Sequence, residues 1–192
     1  MRKRFNIASQ KKYWFIAGLT LILTVSTVYA TYVYRPFNHR LAAYVTDLSG
    51  RRPHQIHNIR LGSQSIDGII IPSQESFSFN QKVGPYDSSQ GFLPERSFLH
   101  GKTIESSGGG ICQVSSTLFN SAQLAKLKII ERVLHSQDIQ SVPHGQDATV
   151  AYGVADLKII NPYSFPIQIR SHISQNQLKI EIWGKELSHE LQ

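Results

Sequence analysis

The single cysteine of the chain, Cys112, stands two residues after three consecutive glycines, 108–110. Glycines lose much backbone entropy on folding, so a run of three predicts a sharp turn or a close backbone contact. Apolar residues recur at spacings of three and four from Ile111 onward, which places Cys112 in the first turn of a helix. There the helix dipole favours a thiolate, and backbone N–H groups or the Gln113 amide offer donors to an oxyanion. Cys112 is therefore a candidate nucleophile, and a buried, inert thiol is the alternative.

A thiol nucleophile needs a base, and His135 is the candidate. It follows a predicted strand, at a position from which a strand end could face the start of the helix. Asp138, Asp147 and Asp156 are available to orient its second ring nitrogen. We favour Asp147, because it lies between a tight loop and a strand. The predicted catalytic set is Cys112, His135 and Asp147, and the alternative is a structural histidine with an aspartate that caps a turn.

An aromatic loop over 83–98, together with Lys102, is the second candidate for function. Aromatic faces pack on apolar ligand surfaces and cations bind carboxylates, so this loop could line a groove for a sugar or a peptide. Alternatively, its aromatic residues only anchor the loop. No Cys-x-x-Cys or His-x-x-x-His spacing occurs, so we expect no metal and no cofactor. The substrate-binding candidates, from the glycine turn and this loop, are Gly109, Gly110, Gln113, Tyr86 and Arg96.

The elements that must position these residues are typical of an α+β fold. The chain ends in a hairpin, in which 167–173 alternates against 178–182 around a Gln175-Asn176 turn. Because few elements follow a strict strand–helix repeat, we expect a single compact domain with an antiparallel or mixed sheet around one central helix. The other predicted elements are helices over 57–67 and 111–127, strands over 69–71, 76–80, 129–134 and 157–160, and a surface loop over 84–95.

The net charge of +7 belongs to the N-terminal segment. Residues 1–40 carry seven Lys or Arg and no acidic residue, so the remaining 20 − 7 = 13 basic residues balance all 13 acidic ones. The part of the chain after residue 40 is therefore neutral on average. A general nucleic-acid surface would need an excess of basic residues in this part of the chain, so we expect no nucleic-acid partner.

A membrane explains the basic segment. The 22 residues 13–34 contain no charge and follow five Lys or Arg, and about 20 apolar residues span a bilayer. Positive charge before a span keeps the N-terminus in the cytoplasm, which predicts a single-pass protein with an extracytoplasmic C-terminal domain. A cleavable signal peptide is the alternative, because Val28 and Ala30 flank Tyr29 as in a cleavage site. Either way, Cys112 has no partner for a disulfide, so the fold must rely on its core.

The sequence resembles the VanW family, which is named after an accessory protein of glycopeptide (vancomycin) resistance clusters in bacteria. The resemblance covers roughly 57–173 and departs from the family at Ser73-Gln74, where Pro-Gly is usual, and at His144, where Pro is usual. The matching stretches are 72–84 (PSQESFSFNQKVG), 108–120 (GGGICQVSSTLFN), Glu131-Arg132 with His135-Ser136, 142–153 (VPHGQDATVAYG), and 156–161 (DLKIIN) leading into Pro166-Ile167.

The resemblance implies a cell-envelope protein associated with peptidoglycan or its precursors, or with glycopeptide resistance, and it supplies no reaction. Protein partners stay open. We hypothesise a membrane-anchored cysteine enzyme, such as an amidase, peptidase or transpeptidase, acting on peptidoglycan peptide through Cys112. The alternative is a non-catalytic module that binds peptidoglycan or a partner, with Cys112 buried. The predicted organisation is a basic stub with an anchor or signal peptide (1–34), a stalk (35–55), a VanW-like domain (56–186) and a tail (187–192).

Overall fold

A computed structural model of the chain describes residues 14, 17–18, 20–26, 37–99, 102–137 and 139–186. The chain divides into two units, Met1–Arg35 and Pro36–Gln192. In the first unit the described residues are helical. No helix among the described residues is both long and apolar enough to cross a membrane. Much of the predicted span over 13–34, and all of the predicted tail over 187–192, lies outside the described residues.

The second unit mixes short strands with helices. Ser88–Gln90 adds one 3₁₀ turn. The remaining elements are β1 (His39–Asp47), α1 (Pro53–Ile66), β2 (Ile70–Ile71), β3 (Ser76–Ser78), α2 (Phe79–Val83), β4 (Pro94–Leu99), β5 (Lys102–Ser107), α3 (Ile111–Leu124), β6 (Lys128–Glu131), β7 (Lys158–Ile160), β8 (Ile167–Ser174) and β9 (Gln177–Gly184).

Within the described residues the strands form three antiparallel sheets, in the orders β1-β9-β8-β2, β3-β7-β6 and β4-β5. Helix α3 packs against β1, β9, α1 and β6, so it lies at the centre of the core. The predicted α+β class with an antiparallel sheet and one central helix is therefore confirmed.

Helix α3 follows from its apolar spacing. Val114, Leu118 and Ala122 are each fully buried, and they recur at intervals of four along one helix face. The helix begins at Ile111, as predicted, and ends at Leu124 rather than at residue 127. It ends early because Lys126 has a left-handed φ of 56°, which turns the chain toward β6.

The terminal hairpin also follows from local pattern. Ile169 pairs with Ile182 and points into the core, while the residues between the buried ones face outward. The turn residues Gln175 and Asn176 have φ values of 46° and 62°, as a two-residue turn with left-handed residues requires.

Several segments differ from the predictions. Strand β6 ends at Glu131 rather than at residue 134, and β4 begins at Pro94, inside the predicted loop. The predicted stalk over 35–55 instead supplies β1, which pairs with β9 along its whole length, and the start of α1. The predicted strand over 76–80 stops at Ser78, because the Ser78 hydroxyl accepts the N–H of Gln81 and caps α2. For β1 the deciding partner, β9, lies far along the chain, whereas the cap that ends β3 is only three residues away.

Candidate functional site

The glycine turn has the strained geometry that three glycines predict. Gly108 and Gly110 have φ values of 88° and 100°, whereas Gly109 does not have a positive φ. The turn is closed by the N–H of Ile111, which donates to the Gly108 carbonyl at 3.0 Å. A Cβ on Gly108 would lie 2.7 Å from Cβ of Tyr86, so the turn also packs closely on the preceding loop.

The turn places Cys112 in the first turn of α3, but the thiol does not gain the expected low pKa. Its Sγ–H donates to the Val150 carbonyl at 3.6 Å, and the residue is only partly exposed. Burial raises the pKa of the Cys112 thiol to about 11, and the negative charge of Asp147 adds to this effect. Desolvation therefore outweighs the helix dipole here, and the thiol is protonated at neutral pH.

The segment 146–150 runs antiparallel along α3 and is tied to it by polar side chains. Asn120 Nδ2 donates to the Gln146 carbonyl at 2.7 Å. One turn earlier, Ser116 Oγ accepts the N–H of Ala148 at 2.9 Å and Ser115 Oγ donates to the Ala148 carbonyl at 2.6 Å. These serines look like ordinary polar helix positions in the sequence, yet both are fully buried. They fix the segment that carries Asp147 against the helix that carries Cys112.

His135 and Asp147 form the predicted pair. Asp147 Oδ2 accepts both the backbone N–H of His135 at 2.7 Å and its ring Nδ1–H at 2.6 Å. Burial alone would raise the pKa of Asp147, but these hydrogen bonds lower it below its usual value. Since the carboxyl is ionised, Nδ1 holds the ring proton and Nε2 is the acceptor. Asp138 lies outside the described residues, and Asp156 binds Ser78 instead.

The structure does not join the three predicted catalytic residues into one chain of hydrogen bonds. His135 and Asp147 are in contact, and Cys112 touches the same segment three residues farther along, at Val150. Among the described residues no hydrogen bond links the Cys112 thiol to the His135 ring.

The Gln113 side chain makes its hydrogen bonds to residues on and after β1. Its Oε1 accepts from Arg51 Nε at 2.7 Å, and its Nε2 donates to Thr46 Oγ1 at 3.1 Å and to the Asp47 carbonyl at 2.8 Å. These partners lie on and just after β1, whereas Cys112 faces Val150. The expectation that the Gln113 amide donates to a substrate oxyanion is not supported, because the amide is saturated by internal partners.

The loop residue Tyr86 is an anchor. Its hydroxyl donates to Asn80 Oδ1, and its ring packs edge-on against Phe92 at a centroid distance of 5.7 Å. Burial, followed by the charges of Cys112 and Asp156, raises the pKa of the Tyr86 hydroxyl. These contacts hold Tyr86 against the core, and they account for its role as an anchor of the loop.

The remaining substrate-binding candidates are two glycines of the turn and one residue of β4. The Gly109 carbonyl accepts from Asn58 Nδ2 at 3.0 Å, and Gly110 caps the start of α3. Arg96 lies on β4, in register with Glu105 of β5. Among the residues that the structure describes, no group of three or more His, Cys, Asp and Glu could hold a metal ion.

Two residues in the 142–153 stretch, which carries Asp147, stand out in the structure but were not predicted from the sequence. Tyr152 is 57% exposed, and it lies over Gly84, where a Cβ would come within 2.3 Å of Tyr152 Cδ2. Within the described part of the chain, Thr149 Oγ1 is a buried hydroxyl without a hydrogen-bond partner. Residues 149–152 show no regular alternation of exposed and buried side chains, so periodicity offered no signal for either residue.

Comparison with known protein families assigns the chain to one of them. A family model described as "VanW like protein" matches residues 54–183, so the chain belongs to the VanW family and the predicted resemblance is confirmed.

Two curated proteins resemble the chain. It is 37% identical over 148 residues to "Uncharacterized protein YoaR" of Bacillus subtilis (strain 168), which covers 77% of this chain and 49% of that protein. It is 31% identical over 121 residues to "Vancomycin B-type resistance protein VanW" of Enterococcus faecalis (strain ATCC 700802 / V583), which covers 60% of this chain and 44% of that protein. The chain spans about half the length of these curated relatives. No solved structure gives a significant match.

Proposed function

We propose that this protein is a membrane-anchored cell-envelope module that binds peptidoglycan without covalent chemistry. The similarity to a vancomycin B-type resistance protein supports a role in the envelope and in glycopeptide resistance. The uncharged segment 13–34 after five basic residues supports an anchor with the folded domain outside the cytoplasm.

The state of Cys112 carries the non-catalytic proposal. Its thiol is held by the Val150 carbonyl, and its pKa of about 11 leaves almost no thiolate near neutral pH. A thiol nucleophile reacts as the thiolate, so this environment favours a packing role for Cys112. The neighbouring Gln113 amide, which an enzyme would use for an oxyanion, is saturated by its own partners.

The binding surface that fits this proposal is the turn 151–155. Two backbone hydrogen bonds between Ala151 and Ala155 close the turn, and Asn80 Nδ2 donates to both of their carbonyls. The turn exposes Tyr152 and Val154, which are 57% and 69% exposed. A rigid, exposed aromatic ring is what the apolar face of a sugar or a peptide side chain packs against.

Sedimentation of the full-length protein with purified peptidoglycan tests this surface. We expect Tyr152→Ala to weaken binding at least about tenfold, since a buried aromatic contact contributes more than about 1.4 kcal/mol. Tyr152→Phe should retain most of the binding, because it keeps the ring. The matched control is Leu134→Ala, which removes another apolar side chain that is 54% exposed. Equal binding by Tyr152→Ala and the wild type would refute this surface.

A cysteine enzyme acting on peptidoglycan peptide is the second candidate, and the His135–Asp147 pair favours it. Asp147 holds Nδ1 and leaves Nε2 as a base. Cys112 Sγ would attack an amide carbonyl carbon, passing its proton through His135 Nε2 to the leaving amine. Water would then hydrolyse the thioester and regenerate the thiol. This requires the thiol to leave the Val150 carbonyl.

Product analysis separates the two candidates. Incubation of peptidoglycan with the wild type and with Cys112→Ser should release no new amine termini in either sample if the module is non-catalytic. Release by the wild type alone would establish the enzyme. Binding by Cys112→Ser, measured in the same tubes, should remain at the wild-type level under the first proposal.

A further inference from the structure

The outward face of β1, β9 and β8 gathers positive charge near the start of β1. Ile180 and Ile182 are fully buried, so the alternating residues of β9 point away from the core. We call the resulting set the cationic face. It consists of Arg40 on β1, Arg170 on β8, Lys179 and Trp183 on β9, and Lys185 immediately after β9.

One buried carboxylate organises this face. Glu181 accepts from Arg40 Nη1 at 2.9 Å, from Lys179 Nζ at 2.6 Å and from Trp183 Nε1 at 3.2 Å. Burial would raise the pKa of Glu181, but the hydrogen bonds from Lys179, Arg40 and Trp183 lower it to about 2. The carboxylate is therefore ionised, and it holds these long side chains in fixed positions.

The charge of the cationic face exceeds what Glu181 neutralises. At the end of the face near Trp183, four cations stand against two carboxylates, Glu181 and Glu186, which leaves 4 − 2 = +2. Asp47 points outward too, but it lies at the opposite end of β1. Residues 40–192 as a whole hold 20 − 6 = 14 basic and 13 acidic residues, a net charge of +1, so the cations are concentrated at this end of the sheet. Charge concentrated on one sheet face, beside a partly exposed tryptophan, points to an anionic surface as the partner.

Arg170 connects this face to the chain that precedes β1. Its guanidinium lies 4.2 Å from the ring centroid of Trp183, and its Nη2 donates to the Phe37 carbonyl at 3.4 Å. The chain is thus already fixed to the sheet at Phe37. Trp183 combines an apolar ring with an N–H group, which suits the headgroup region of a bilayer.

We propose that the cationic face lies against anionic phospholipid headgroups of the membrane that anchors the chain. The proposal rests on the anchor proposed above. Only four residues, 35–38, separate the end of the proposed span from His39. Four extended residues reach about 14 Å at most, at about 3.3–3.6 Å each, so the start of β1 cannot leave the headgroup region by much. The tether selects lipid phosphate over soluble phosphate as the anion.

The full-length chain offers a direct probe, because its two tryptophans are Trp14 and Trp183. Trp14→Phe leaves Trp183 as the reporter. We would reconstitute this variant into vesicles of phosphatidylcholine alone or mixed with phosphatidylglycerol, each containing a lipid with a headgroup spin label. We expect flotation with both vesicles and quenching of Trp183 that is stronger in the anionic ones. High salt should abolish the difference, because the Debye length falls to about 3 Å at 1 M.

Charge removal sharpens the test. Lys179→Gln with Lys185→Gln should lower the ratio of docked to undocked domain about fivefold per charge, the effect of one cation near an anionic surface. The matched control, Lys82→Gln with Lys126→Gln, removes the same charge from exposed positions elsewhere and should leave quenching unchanged.

Each other result overturns a defined part of the proposal. A chain that does not float with vesicles overturns the anchor and this docking with it. A floating chain whose Trp183 is quenched equally in both vesicles overturns the docking alone. Inorganic phosphate that shifts Trp183 emission as strongly in neutral vesicles would identify a soluble anion as the ligand and overturn the assignment to lipid.

Discussion

Two buried aspartates, Asp147 and Asp156, lie nine residues apart in the chain but bind different kinds of partner. Among the described residues, the hydrogen bonds to Asp156 come from groups that do not titrate near neutral pH. These are the Ser78 hydroxyl at 2.6 Å and the N–H groups of Asn80 at 2.9 Å and Leu157 at 2.8 Å. Its carboxylate therefore joins the start of α2 to the residue that precedes β7, and its role is structural.

Asp147, by contrast, accepts from an imidazole and from the backbone of the same residue, His135. It also acts on the thiol of Cys112 through its charge. Asp147 is a candidate for chemistry because it orients an imidazole, whereas Asp156 orients a hydroxyl and backbone N–H groups. Both residues are similarly buried, so burial alone does not separate a structural aspartate from a candidate functional one.

The largest effect in this comparison should come from Asp156→Ala. It leaves three buried donors without an acceptor, which predicts a loss of about 3–5 kcal/mol in the free energy of unfolding. Urea denaturation measures it. Asp87→Ala is the control, because the Asp87 carboxylate is exposed and binds groups of its own turn, such as Ser89, so its loss should change little. A loss for Asp156→Ala no larger than for Asp87→Ala would contradict the structural role.

Gly108→Ala extends the test to the glycine turn. Gly108 packs against Tyr86, and Tyr86 donates to Asn80, whose backbone N–H binds Asp156. The left-handed φ of 88° and the close approach to Tyr86 together predict a loss of about 2–4 kcal/mol. Gly145→Ala is the matched control, since φ there is 73° and a Cβ would meet nothing within 4 Å. It should cost only about 1–2 kcal/mol, the cost of the dihedral alone. Equal losses in the two variants would remove the packing argument.

Asp147→Asn should cost about 1–3 kcal/mol at neutral pH, because it weakens charged hydrogen bonds. Its pH dependence identifies the cause. The folded pKa of Asp147 lies below the unfolded value of about 3.9, so its contribution is present above that pH and is lost as pH falls through the folded pKa. Urea denaturation across this range should show that the free energy of unfolding of Asp147→Asn depends less on acidic pH than that of the wild type. His135→Ala keeps the backbone N–H that donates to Asp147, so it should reduce the pH dependence less. An unchanged pH dependence in Asp147→Asn would speak against the pair.

The smallest effect should come from Cys112→Ser. A serine hydroxyl can still donate to the Val150 carbonyl, so we expect a loss of only about 1 kcal/mol. In the wild type, native alkylation of the thiol should be slow at neutral pH and should rise toward a pKa of about 11. Fast alkylation near pH 7 would show that Cys112 resembles a nucleophile, and it would favour the enzyme candidate.

Local pattern predicted the parts of the fold whose partners are near in sequence. Helix α3 and the β8–β9 hairpin carry their own apolar period and their own turn residues, and both form as expected. Strand β1 was predicted as a stalk instead, since its partner β9 begins 130 residues after β1 ends. A short run of apolar residues beside Pro, Gly and charge does not identify an edge strand until the partner is known.

The sequence by itself determined the family, the glycine turn at the start of α3 and the residue types of the candidate site. Periodicity and backbone sterics act over a few residues, so they can be read from the chain. Only the tertiary structure decided which side each residue of the site faces. It placed Gln113 against β1 and Cys112 against Val150, and it paired His135 with Asp147. It also set the thiol pKa, because desolvation depends on every atom packed around the sulfur and outweighs the helix dipole.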